Sequence, residues 1–199
     1  MGSRAKAFLR DVVSIGAAGM VIATARSSLA DHYFVPSESM LPTVHAGDRV
    51  FVDKSAYDLR VPFTSLSLAE RHPPTPGDVV VLASPESSDT LLKRLIAVPG
   101  DLVEVRDGAL RLNGKQVAME PSPDGPVEKL GRGHAVSLRY GGGPDFGPRT
   151  LGEDEYLVMG DNRGNSHDGR SFGVVSRSAL RGRAVGVYAR DGKPTFLKL

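Results

Sequence analysis

Beyond Asp31 no apolar run goes far before a glycine or proline stops it, and this punctuation limits the chain to short strands and turns. Arg49-Val50-Phe51-Val52, Asp78 to Leu82 and Leu91 to Val98 read as strands bounded by Gly and Pro. Leu102 to Val117 contains Asp107-Gly108 and Asn113-Gly114, dipeptides that suit tight turns, so hairpins are expected there. Tyr156 to Met159, Phe172 to Val175 and Ala184 to Ala189 add further short strands. The fold class is mostly β: an antiparallel barrel-like or sandwich core. Tyr57 to Gly77, with Pro62, Pro73, Pro74 and Pro76, and Glu120 to Glu155, rich in Gly and Pro, read as irregular insertions on that core. Within the first, Ser67 to Arg71 suits one helical turn, with Ser67 as N-cap and Glu70 three residues on.

The first 30 residues differ from the rest. Val12 to Ala25 carries no charge, about 14 residues or roughly 21 Å of helix, short of the ~30 Å hydrocarbon core. Counted from Ala7 the run reaches about 19 residues, roughly 28 Å, with Arg10 able to snorkel. Arg4, Lys6 and Arg10 precede it, which favours a cytoplasmic N-terminus for a membrane-anchor helix. A cleavable export signal, with Ser27-Ser28-Leu29-Ala30 as its small-residue end, and a helix buried in the soluble domain or lying on a surface are the alternatives. The expected organisation is residues 1–30 as a probable anchor segment and 31–199 as one domain, with insertions at about 57–77 and 120–155.

Three blocks bear on chemistry. Pro36-Ser37-Glu38-Ser39-Met40-Leu41-Pro42-Thr43 sets two hydroxyls two residues apart between prolines, a spacing suited to a serine nucleophile with an oxyanion donor beside it. Leu91 to Ile96 places Lys93 between Leu91 and Leu95 on one strand face, where desolvation lowers an amine's pKa, and Arg94 on the other. The third block runs from Gly160 to Arg170. As a calcium loop starting at Asp161 it fails, because Ser166 and Phe172 stand where glycine and glutamate are required. The absence of cysteine removes thiol nucleophiles and disulfides. None of the five histidines forms a recognisable triad, though His167 lies inside the third block. A net charge of +2 with dispersed Lys and Arg argues against nucleic acid, and 40% hydrophobic residues argue against global disorder.

Together the three blocks resemble bacterial type I signal peptidases, membrane-bound Ser-Lys proteases. The resemblance implies Ser39, the serine before methionine, as nucleophile, and Lys93, first of the Lys93-Arg94 pair ahead of Pro99-Gly100-Asp101, as general base. It implies Ser37 with the Ser39 N–H as oxyanion hole, Ser166 as the hydroxyl that hydrogen-bonds and orients the lysine, and Asp168 paired with Arg170 to hold the loop. It also implies shallow pockets for small side chains, carried onto Val35, Pro36, Met40, Val44 and Leu92. Glu38, Gly164 and Gly169 depart from the residues most common at their positions (Gly, Asp and Ser). No cofactor or metal is implied. The partners are signal peptides of exported preproteins and membrane lipid, with the catalytic domain outside the bacterial cytoplasmic membrane; the oligomeric state stays open. The alternatives are a specialised pilin or conjugation maturation peptidase, a self-cleaving repressor of the same clan, and an anchored β-domain that binds exported peptides without cutting.

Overall fold

The computed structural model describes residues 3–61, 64, 66–123 and 125–199. A helix, α1 (Ser3–Ser28), leads into β1 (Ala30–Phe34) and β2 (Arg49–Asp53), which pair antiparallel from Ala30 opposite Asp53 to Phe34 opposite Arg49. A small hairpin follows, β3 (Asp58–Arg60) with β4 (Ser67–Glu70), then β5 (Val79–Ala83) and the long β6 (Thr90–Ala97). Next come β7 (Leu102–Arg106), β8 (Ala109–Leu112), β9 (Lys115–Gln116), β10 (Met119–Glu120), β11 (Val127–Glu128), β12 (His134–Ala135) and β13 (Phe146–Thr150). The chain closes with β14 (Leu157–Met159), the short α2 (Gly169–Phe172), β15 (Leu180–Arg190) and β16 (Lys193–Lys198).

Seven strands form the main sheet in the order β1-β2-β15-β5-β6-β14, with β16 also on β15. Every pairing in it is antiparallel. Its path runs from β1 to β14 without joining them, so among the described residues there is no closed barrel. A second sheet, β13-β7-β8-β9, is built on the Asp107-Gly108 and Asn113-Gly114 turns, where Asp107 and Asn113 take positive φ of 45° and 51°. β5 is apolar at every position because both its faces are covered: Val79 and Val81 pack with Met40, Val44 and Val50, while Val80 and Leu82 pack with Leu95 and Val158. Ile96, Val103, Leu110 and Leu157 fill a third cluster between the two sheets.

Three expectations need correction. Ser67–Glu70 is a strand paired with β3, not a helical turn; all four residues are exposed, leaving a helix no apolar stripe to bury. Phe172 to Val175 is not a strand: Phe172 ends α2, Gly173 turns the chain at φ 90°, and only Val175 pairs, with Tyr156. The 120–155 stretch is more ordered than its composition suggests, since β10-β11-β12 form a small sheet and β13 joins β7. Pro62, in the other insertion, lies outside the described residues. Among the described residues no helix is long and apolar enough to cross a membrane. α1 exists over the expected run, yet residues 10–20 are exposed throughout and nothing lies within 4 Å of where Gly16 or Gly19 would carry a Cβ.

Candidate active site

The Pro36–Thr43 segment leaves β1 and folds into tight turns, with the Leu41 N–H on Glu38 O and the Val44 N–H on Met40 O. These turns drive Met40 and Val44 into the core and leave Ser37 and Glu38 outside. Ser39 stands between, 9% exposed, with its Oγ 3.3 Å from Ser37 Oγ. The segment is pinned at its far end by Asp48, whose buried carboxylate takes two hydrogen bonds from Arg190.

Lys93 reaches this point from β6, where it pairs opposite Val80 and is 4% exposed. Its Nζ lies 2.8 Å from Ser39 Oγ. Burial pushes the Lys93 amine down from 10.5 to about 8; the carboxylates of Asp168 and Asp161 pull it up and the Arg170 guanidinium helps lower it. A neutral lysine is therefore accessible near physiological pH, as removal of a serine proton requires.

The loop after β14 closes the site from behind. Asp161 accepts Arg94 Nε at 2.8 Å and Arg94 Nη2 at 2.6 Å, and also accepts the Thr43 hydroxyl, tying β6, the serine segment and this loop together. The Asn162 N–H and Nδ2 donate to Ser39 O and Glu38 O. Asp168 accepts the Gly160 N–H and two guanidinium bonds from Arg170, so the expected pair forms. Burial would raise the Asp168 carboxyl, but Arg170 outweighs it and holds it below its ordinary value.

Ser166 does not make the expected bond to lysine. Its Oγ is buried with no hydrogen-bond partner among the described residues. It is nevertheless at the site, because a Cβ on Gly160 would fall 2.2 Å from Ser166 Oγ and 2.4 Å from Ser39 O. Only glycine fits between them. Gly164 and Gly169 have similar reasons: a Cβ would meet Tyr140 O at 2.0 Å and Val158 O at 2.7 Å.

A cavity of about 330 Å³ opens beside Ser39 and Lys93, with Val35, Pro36, Met40 and Leu92 in its wall together with Tyr33 and Asp89. Val44 does not line it; the turn on Met40 O buries Val44 completely. Sequence reasoning missed the deeper support. Arg163 and Glu128 form a fully buried two-bond pair, and His134 Nε2 lies 3.4 Å from Glu128 and 3.7 Å from Asp161. Glu128 and His134 lie on β11 and β12, where no local pattern singled them out; only the Asp161–Arg163 end was visible as a motif.

Comparison with known proteins identifies the family. The family model for signal peptidase, peptidase S26, matches residues 8–189. A signal peptidase I of Bacillus licheniformis is 35% identical, over 82% of this chain and 78% of its own. One from Pseudomonas aeruginosa is 36% identical, over 90% of this chain and 72% of its own. A crystal structure of a signal peptidase I from Enterococcus faecalis aligns with TM-score 0.41 and 27% identity, over 58% of this chain and 98% of that one.

Proposed function

The chain belongs to the signal peptidase family, peptidase S26, and from that premise we propose that Ser39 and Lys93 are the pair with which it works. It is a serine endopeptidase that removes signal peptides. The observation that carries the assignment is the 2.8 Å approach of Lys93 Nζ to Ser39 Oγ between two largely buried side chains.

In this reading the neutral Lys93 amine takes the Ser39 proton as Oγ bonds to the scissile carbonyl carbon. The developing oxyanion is held by the Ser39 N–H and the Ser37 hydroxyl. The Lys93 ammonium then returns its proton to the leaving nitrogen and the C–N bond breaks. Water attacks the acyl ester by the same steps, Lys93 again serving as base. Asp168 and Arg170 hold the loop behind the lysine, with Ser166 Oγ buried beside Gly160 and Ser39 O. Val35, Pro36, Met40 and Leu92 take the small side chains that precede the cut.

The domain assignment and the location belong to the same proposal: residues 31–199 as catalytic domain with excursions at 57–77 and 120–155, and residues 1–30 as the membrane-associated segment. Val12, Val13, Ile15 and Met20 are all exposed on α1, an apolar surface that the described residues leave uncovered and that a membrane would cover. Single passage through the cytoplasmic membrane, with Phe34 onward outside, is the orientation that the preceding basic residues favour.

The test is incubation of the purified protein with an exported precursor carrying Ala-X-Ala before its cut site, and mapping of the products by mass spectrometry. Cleavage after the second alanine, lost in Ser39→Ala, is expected. An uncut precursor, or equal cutting by Ser39→Ala, overturns the assignment.

A further inference from the structure

The serine segment has a second cavity on its other side. Glu38, Leu41 and Pro42 form one wall, and the facing wall comes from residues 125–126 and 136–140, enclosing about 430 Å³, within the usual range for ligand sites. It belongs to neither the base nor the small-residue pocket. Both of its walls hang from one loop. Ser137 donates its N–H to Asp161 O at 2.8 Å and accepts the Arg163 N–H at 2.9 Å, while Asn162 is bonded to Ser39 O and Glu38 O. The 138–141 turn rests directly on Gly164, where any Cβ would meet Tyr140 O at 2.0 Å. The cavity is thus held in fixed relation to Ser39 Oγ.

Three of its side chains have polar atoms that other described residues do not pair. Asn162 is 1% exposed, yet its Oδ1 accepts no hydrogen bond among the described residues. Glu38 is exposed and forms no ion pair among the described residues. Arg139, opposite, sets its guanidinium over the Tyr140 ring at 5.6 Å from the centroid and forms no ion pair among the described residues. Two opposite charges therefore face one apolar cleft, formed by Leu41, Pro42, Val136 and Leu138, without neutralising each other.

A polypeptide cut at Ser39 has to continue past it. If its N-terminal side fills the cavity by Leu92, its C-terminal side leaves across Glu38. Adjacent Cα atoms are only about 3.8 Å apart, so Glu38 sits within a residue or two of the cut. We propose that this second cavity binds the residues immediately following the scissile bond, and that the Glu38 carboxylate makes it favour a basic over an acidic residue directly after the cut. The proposal rests on Ser39 being the nucleophile and adds the recognition of the released chain.

The test uses the full chain in detergent and peptides identical up to Ala-X-Ala. One series ends one, two or four residues after the cut; the other carries Lys, Ala or Glu directly after it. We expect kcat/KM to rise about tenfold as the leaving segment lengthens from one to four residues, and Lys to exceed Glu by about tenfold. In Glu38→Gln the Lys-to-Glu ratio falls to within about twofold. If that variant is inactive, Arg139→Glu tests the opposite wall and should widen the ratio. Cleavage by wild type that ignores both length and charge beyond the cut overturns this proposal alone. No cleavage of any peptide overturns the nucleophile assignment and this proposal with it.

Discussion

A buried lysine costs stability for as long as it is charged, and Lys93 is buried against Ser39 with its amine lowered from 10.5 to about 8. Between those two values the unfolded chain holds a proton that the folded chain has released, so stability rises with pH across that window. Below about pH 8 both states are protonated and the penalty is fully present. Lys93→Met should therefore raise the melting temperature at pH 7, by the equivalent of about 1–3 kcal/mol, with the gain vanishing above pH 10.5; an unchanged or lower value at pH 7 would contradict the desolvation account. Activity follows the same titration: kcat/KM should climb through about pH 8, and Lys93→Arg should lose about 10³-fold or more, because guanidinium accepts no proton. A flat profile across pH 6–9 would show that another group sets the rate. Ser39 and Lys93 stood out through the resemblance of their blocks to signal peptidases; the local patterns, hydroxyls at i and i+2 and a lysine flanked by leucines on a strand, allow those roles without fixing them. The position of Val44 was not, since a single turn bond decides whether it lines a cavity or the core. The orphaned state of Ser166 Oγ was not legible either, since the path of the loop after β14 decides it.

Among elements, the loop after β14 acts as the frame against which β6, the serine segment and β11 are set. Its charged residues are buried in pairs, Asp161 with Arg94 and Arg163 with Glu128. Burial alone would raise the Glu128 carboxyl; the contacts from His134 and Arg163 overcome this and hold it at about 2. Glu128→Gln leaves the Arg163 charge without its partner and should cost about 3–5 kcal/mol, read as a lower denaturant midpoint. Replacing both, Glu128→Leu with Arg163→Met, should recover most of that loss, since the desolvation cost disappears with the charges. If the double variant is no more stable than Glu128→Gln, the pair is contributing net stability and not merely neutralising itself. The strands β2, β5, β6 and β15 were readable because apolar runs bounded by glycine and proline have few other uses. β4 was not, because its Ser-x-x-Glu spacing also fits a helix start and only pairing with β3 decides between them.

For the molecule as a whole, the question is what covers α1. The helix follows from an uncharged run that anyone reading the sequence would mark, but its length and apolarity stop short of an unambiguous span. Among the described residues its main contact with another element is with β1, and Val12, Val13, Ile15 and Met20 are exposed. In water this surface has a standing cost, at roughly 25 cal/mol per Å² of apolar area left exposed. Insertion into lipid removes that cost without altering the sheet, the cavity by Leu92 or the Lys93–Ser39 contact. The expected outcome is that the full chain floats with lipid vesicles, and that replacing Val12, Val13, Ile15 and Met20 by glutamine releases it while it still cuts a soluble Ala-X-Ala peptide at near wild-type rate. In intact cells stripped of their wall, protease added outside should digest the domain from Phe34 onward. Should the glutamine variant stay bound to vesicles, the membrane contact lies on the domain itself; should the domain resist external protease, the assigned orientation is wrong.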